Sequence, residues 1–488
     1  MLEILSHQYL KNFLRDQSIN WEHIYSFGRI ISKCIENDST YLINSEIFSS
    51  YDWLPPILIS LFLKEEDSTF ILSKEKIQFI SQFQIDSLKN LGFNFILKND
   101  QFIFANHHVH LITIQNFLND PNSRNLRNHR IVYSGIEDIK QDLKNHFRIS
   151  LLKKDWTKNF KEFELINQKF IKVYDSLKKK FVLRKVLGNS YINLDEKEIS
   201  FLSNFFHENS FFSDKFLSVN KALSQGWACW VKLNDTNLDW NLYLQPIDEL
   251  FQIKEFFSNN KFVFLSALRK DNFFQMYFKK HSLDIDLVIN FKSNFEEKKI
   301  SLYIPSKQLL PNNPLFTNSI LDKCKKLILF RKGLTLVLSD DIDLKTNLAT
   351  ELASTYGKRV LLETIPSGRN EILCSSFDWW IMNSYLIQIP EQIIIPLLPI
   401  PNMSEPINAI TVSHKKKLSQ DWFRDFFLPQ ARIKLERSIS PLRRNSGKLI
   451  ILDGRANKRN WEDYFCKTFN PQNKLTICYL LIRLRFCK

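Results

Sequence analysis

The sequence predicts an α/β protein built on two parallel-sheet units, the first interrupted by a helical insertion. Three observations carry this. Apolar runs bounded by polar turns alternate with helix-period segments along much of the chain. Strand-loop-helix-strand repetition fills roughly the first 100 residues, as parallel strands with crossover helices require. A second series of the same kind begins near residue 300.

TYLINSEIF (40–48) predicts a strand, SSYDWLPP a loop, ILISLFL (57–63) a helix and DSTFILS (67–73) a second strand. QFIFANHHVHLITI (101–114) and HRIVYSGIEDI (129–139) continue the series. Between about 140 and 225 the chain is charged, Phe-rich and helical in period, with little strand signal, which reads as an insertion. KFVFLSALRK (261–270) returns to the first sheet. LTLVLSDD (334–341), KRVLLET (358–364), QIIIPLLPI (392–400) and KLIILDG (448–454) predict buried strands of the second unit. Between the first two of these, Leu344, Leu348 and Leu352 form an apolar stripe and Gly357 suits a helix C-cap. The resulting boundaries are 1–145 and 241–298 for the first unit, 146–240 for the insertion, 299–470 for the second unit and 471–488 for a tail.

The net charge of +15 favours a polyanionic partner or an anionic membrane surface. Much of it is Lys in a chain also rich in Asn, Ile and Phe, a composition that an AT-biased genome produces unselected, so the charge counts for less than its size. The N-terminus has no apolar signal core, and IIIPLLPI (393–400) is too short to span a bilayer. Seven scattered cysteines without a CxxC pair form neither a disulfide framework nor a zinc site. A cytoplasmic protein with no membrane partner is expected.

Glycine is scarce, with only 10 in 488 residues, against an average of roughly 7%. A phosphate-cradling P-loop needs G-x-x-x-x-G-K-[ST], because glycines let backbone N–H groups close on the phosphates. Only Gly357 and Gly447 precede a lysine. Leu352 and Leu442 stand where the first glycine belongs, and Arg359 and Leu449 where Ser or Thr belongs. The chain has no intact motif of this kind.

In LPQARIKLERSISPLRRNSGKLIILDGR (428–455), Leu428, Ala431, Leu435, Ile439 and Leu442 share one helix face. Pro429 suits a helix start, and Arg432 with Glu436 forms an i,i+4 surface pair. Pro441 should kink or end the helix, with Ser440 biased away from helical geometry. The arginines read either as a solvated face over a core stripe or as phosphate contacts.

Taken together, these segments resemble DinG/XPD-type superfamily 2 helicases in a divergent, cyanobacterial-like form, which implies two RecA-like domains. LYIPSKQLLPNNPLF (302–316) looks like the family's connection into its second motor domain, and GLTLVLSDDIDLKTNLATEL (333–352) like the strand and helix that open it. QIIIPLLPIPNMSEP (392–406) resembles an "LP-F…P…dP" segment, and residues 428–455 the final "P-x-A…Q-x-x-G-R-x-x-R…D-x-R" motif. The likeness is good from about 300 to 465 and weak before.

Pro429, Ala431, Arg444, Asp453 and Arg455 match that final motif. Arg437 stands at the glutamine position, Ser440 at the glycine position and Pro441 at the finger arginine, a group worth about 10³–10⁵ in rate. Two tryptophans in SSFDWWIMNSYL (375–386) replace a Gly-x-Asp element. FSSYDWLPP (48–56) falls at Walker A without Gly or Lys. RIVYSGIEDI (130–139) falls at Walker B, where Ser134-Gly135-Ile136-Glu137 keeps the small residue and last acid but lacks the Asp that would anchor Mg²⁺ and the Glu that would activate water. FLSALRK (264–270) retains the Ser-Ala of a TSAT-like coupling motif. Only Cys34 and Cys229 precede residue 300, so no iron–sulfur cluster is expected.

The resemblance therefore implies a DNA helicase, with a DNA-repair background, that would use ATP and Mg²⁺ to move along single-stranded DNA. The departures argue that this activity is weakened or lost. The alternatives are a non-catalytic DNA-binding or scaffolding protein on the same fold, and an unrelated α/β enzyme. Ser50, Asp52, Glu137, Arg444, Asp453 and Arg455 are the nucleotide-cleft candidates. Arg437, Arg443, Trp379, Trp380 and Ser266 are the nucleic-acid candidates. Trp379 and Trp380 could stack on bases, or place one ring in the core and leave one half-exposed. NHHVH (106–110) lacks a nearby Cys or carboxylate and reads as structural rather than metal-binding, and Asp195 reads as a helix N-cap. No catalytic residue and no metal ligand is assigned.

Overall fold

The computed structural model describes residues 1–15, 21, 23–119, 130–156, 164–185, 190–234, 236, 238–248, 250, 254, 257, 260–269, 273–292, 295, 297–329, 333–458 and 468–475. The chain forms two compact units. One comprises Met1–Glu137, Phe256–Ile400 and Leu428–Lys488, and the other Asp138–Glu255 and Pro401–Phe427.

The first unit holds two large sheets. One has eight strands in the order Leu287–Asn290, Tyr41–Asn44, Phe262–Ser266, Arg130–Ser134, Ser68–Ile71, His108–Ile112, Gln101–Ile103, Ile96–Lys98. The first six are parallel and the last two antiparallel. Its central strands are buried along their whole length, because helices cover both faces of a parallel sheet. Helix Leu54–Leu63 is apolar all round and is buried except at its last residue. It packs against helices Leu2–Arg15 and Ile24–Glu36. Buried serines tie the three together: Ser60 Oγ lies 3.1 Å from Ser6 Oγ and 2.9 Å from Ser32 Oγ.

The other sheet has seven parallel strands in the order Val360–Leu362, Ile372–Ser375, Thr335–Leu338, Gln392–Ile395, Lys448–Ile451, Ile300–Tyr303, Gln472–Lys474. The four expected strands are present and shorter than their apolar runs. Gln472–Lys474, in the expected tail, is an edge strand, and residues 476–488 lie outside the described residues. Leu344, Leu348 and Leu352 are buried, and helix Ile342–Tyr356 ends at Gly357 with φ +60°, a conformation glycine adopts without a Cβ clash.

Helix Leu428–Arg443 buries Leu428, Ala431, Leu435, Ile439 and Leu442, the predicted stripe. The break expected at Pro441 does not occur, and Ser440 is helical. Proline removes one N–H bond, to the Arg437 carbonyl, and the helix ends two residues later, so little of it is disturbed.

The second unit contains the insertion. Helices Glu164–Leu183, Glu196–Asn209 and Asp214–Ser224 accompany a four-stranded antiparallel sheet, ordered Ile149–Leu151, Trp240–Gln245, Ala228–Leu233, Tyr191–Asn193. The sequence reading anticipated the helices and not the sheet, although Trp240, Leu242 and Leu244 alternate inward with period two. Part of that segment, residues 157–163, lies outside the described residues. Trp156, Tyr174 and Trp240 fill the core, with the last two rings stacked at 5.0 Å. Helix Pro406–Lys417, expected in the second motor domain, packs on strands Tyr191–Asn193 and Ala228–Leu233 instead. Asp195 caps Glu196–Asn209 in a capping box with Glu198, as its position predicted.

Candidate functional site

The loop 45–53 joins strand Tyr41–Asn44 to helix Leu54–Leu63, the place where a strand-loop-helix phosphate cradle would form. Four of its backbone donors are already used. Ser45 N–H donates to Ser266 O, Phe48 N–H to Ser45 O, Ser50 N–H to Ile47 O and Leu54 N–H to Tyr51 O. Ile47 N–H donates to Ser45 Oγ, so Glu46–Ser49 winds as a capped 3-10 turn. A helix N-terminus normally offers four orphan N–H groups. Here Leu54 is bonded, and Pro55 and Pro56 have no N–H to offer. Trp53, fully buried, donates Nε1–H to Ser50 O at 2.6 Å and closes the loop on itself.

Glu46 lies at the centre of a buried charge cluster between the two sheets. Its Oε1 is 3.0 Å from Arg443 Nε and 3.3 Å from Arg269 Nε. Arg443 is fully buried, and its guanidinium also donates to the Phe469, Asn470 and Pro471 carbonyls. Burial pushes Arg443 down to about 10, with Glu46 opposing and Arg269 reinforcing the shift. Arg269 N–H donates to Glu436 Oε1 at 2.7 Å. Glu436 is therefore buried and engaged across the sheets, which corrects the expected surface pair with Arg432, 3.8 Å away. Ser49 Oγ meets Ser440 Oγ at 2.9 Å, and the Tyr51 and Tyr385 rings stack at 4.2 Å. The position read as a lost glycine thus carries a hydroxyl that bonds across the sheets.

Sequence reasoning missed Glu46 and Arg269 because nothing in their neighbours marks them as partners. Only the crossing of strands 41–44 and 262–266 with helix Leu428–Arg443 joins positions so far apart.

The cleft candidates separate into two groups. Ser50 donates to Ile47 O at 2.8 Å and toward Asp52 Oδ2 at 3.4 Å. Arg444 lies over the Phe295 ring at 5.1 Å, and burial lowers its pKa against the charges of Asp52 and Glu46. Glu137 accepts from Ser266 Oγ at 2.7 Å and from the Ala267 N–H. Lys76 reaches Ser134 Oγ at 2.9 Å and lies over the Trp53 ring. These residues surround the loop. Asp453 and Arg455 do not: they pair at 2.7 Å beyond the opposite end of strand Lys448–Ile451 from Arg443, where Asp453 also accepts from Leu398 N–H. In this loop four backbone N–H groups are already engaged, and Glu46 places a carboxylate where a phosphate cradle would need donors.

The nucleic-acid candidates are likewise divided. Arg443 is enclosed by Glu46 and backbone carbonyls, so its guanidinium does not face solvent. Ser266 is buried against Glu137. Trp380 is fully buried and donates Nε1–H to Ser438 O at 2.9 Å, whereas Trp379 and Arg437 are half-buried. His108 and His110 bond to Asp67 and Gln101 respectively, and no cluster of metal-ligating side chains occurs among the described residues. No described helix is long and apolar enough to cross a membrane.

No family model matches the chain, and no curated protein does. Solved structures do. One named XPD helicase is 12% identical, with a TM-score of 0.58 over 94% of this chain and 100% of that one. Xpd4 of S. tokodaii is 14% identical, with a TM-score of 0.59 over 93% and 100%. An XPD apo structure is 13% identical, with a TM-score of 0.57 over 92% and 99%. The chain has the fold of these XPD structures, two RecA-like sheets with an insertion, as the sequence led us to expect.

Proposed function

We propose that this chain is a DNA-binding protein that keeps the helicase fold and has lost its nucleotide chemistry. The observation that carries the reading is the Glu46–Arg443 pair, a buried carboxylate and arginine that occupy each other beside the loop where a phosphate cradle would form. The self-bonded loop 45–53 and the prolines at the start of helix Leu54–Leu63 support it. The net charge of +15 and the half-buried Trp379 and Arg437 suit a polyanionic strand with unpaired bases.

The test is ATP hydrolysis by the purified chain, with and without single-stranded DNA, beside a direct DNA-binding measurement. Binding without DNA-stimulated turnover is expected. Stimulated turnover would overturn the reading in favour of a weakened helicase, for which the retained Glu137–Ser266 bond speaks.

A further inference from the structure

Helices Leu2–Arg15 and Ile24–Glu36 leave a groove of about 390 Å³ lined by His7, Lys11, Tyr25, Ser26 and Arg29. The size is that of a small-ligand site. Every lining side chain carries an N–H or O–H donor, and none is a carboxylate. Two nearby cations are neutralised: Lys33 pairs with Glu3, and the Met1 ammonium with Glu36. Lys11 and Arg29 have no ion-pair partner among the described residues. Tyr25, Ser26 and Arg29 lie in the first two turns of a 13-residue helix with no acidic residue in its first turn and no side-chain cap, so its dipole adds positive potential. The His7 ring rests on Tyr25 at 5.3 Å, and its buried Nδ1 has no hydrogen-bond partner among the described residues. The walls are held in place: a Cβ on Gly28 would lie 2.8 Å from Leu10, and the Ser6–Ser60–Ser32 contacts anchor both helices.

We propose that this groove binds a phosphate group, held by Lys11 and Arg29 with Ser26 and Tyr25 as hydroxyl donors. It shares no residue with the cleft and does not depend on the DNA reading. The phosphate could be a free small anion or the terminal phosphate of a strand, and the experiment separates these.

Full-length wild type and a Lys11→Ala/Arg29→Ala double variant are titrated calorimetrically with inorganic pyrophosphate, and by anisotropy with one single strand bearing or lacking a 5′-phosphate. Binding of pyrophosphate by wild type, weakened at least tenfold in the double variant, establishes a small-anion site. A wild-type preference for the 5′-phosphorylated strand, lost in the double variant without pyrophosphate binding, establishes a strand-end site. Neither response in wild type, or responses unchanged in the double variant, overturns the proposal. In that case strand binding that persists leaves the DNA reading standing.

Discussion

The Glu46 carboxylate lies 3.0 Å from the Arg443 Nε, and neither side chain is more than 1% exposed. One belongs to the loop after strand Tyr41–Asn44 of the first sheet and the other to helix Leu428–Arg443 beside the second, so this pair fastens the two RecA-like sheets. Removing one partner strands the other charge in a dry site, which typically costs about 3–5 kcal/mol. Glu46→Gln is expected to lose that much in urea unfolding. Adding Arg443→Met should recover part of it, since the orphaned charge is then gone. A loss below about 1 kcal/mol would show the pair to be dispensable.

A methyl at Gly454 would sit 2.4 Å from the Leu309 carbonyl oxygen and 2.9 Å from its carbon, backbone atoms that cannot swing aside. Gly454→Ala is expected to cost about 1–3 kcal/mol through overpacking. Its near neighbour Asn457, whose side chain donates to the Pro305 carbonyl at 2.8 Å, gives a milder control on substitution to Ala. Equal midpoints for the two variants in thermal unfolding would contradict this.

Trp380→Ala should cost about 3–5 kcal/mol, because a fully buried indole and its bond to Ser438 O are lost together. Trp379→Ala should cost much less and instead weaken single-strand binding, by about 1–3 kcal/mol if the ring stacks on a base. Measuring both variants in parallel by unfolding and by strand titration would expose any reversal.

In the insertion, Glu198 is buried and meets Arg184 at 2.6 Å and Lys180 at 2.9 Å. Burial raises its pKa, but Arg184, the Asp195 N–H and Lys180 outweigh it and hold the carboxyl below the usual glutamate range. A carboxyl depressed in the folded state contributes stability above its unfolded pKa of about 4.3, and that contribution disappears as pH falls through the folded value. Stability should therefore drop below about pH 4.3. Glu198→Gln should be less stable at neutral pH and show a flatter acid limb in pH-dependent unfolding.

Much of the fold was legible in residue order. Period-two and unbroken apolar runs located the strands Tyr41–Asn44, Ser68–Ile71, Thr335–Leu338 and Lys448–Ile451, and the 3,4-spaced stripe from Leu428 to Leu442 gave helix Leu428–Arg443 its inner face. Asp195 announced its cap because capping is a three-residue affair. The absence of any glycine–lysine cradle could be read by enumeration alone. The insertion's sheet went unread because its two edge strands pair across long separations, with charged helical sequence between them, around a local hairpin of Ala228–Leu233 and Trp240–Gln245.

Tertiary structure alone decided what fills the cleft. Local pattern is governed by forces acting over a few residues, so periodicity and caps survive in a string of letters. The Glu46–Arg443 contact spans nearly the whole chain, and its strength comes from burial, which depends on what both sheets pack around it. The same holds for Pro441: the letters marked it as a helix breaker, and its place two residues from the helix end made it harmless. Sequence supplied the frame and the missing cradle, while packing brought a glutamate and an arginine together where that frame left room.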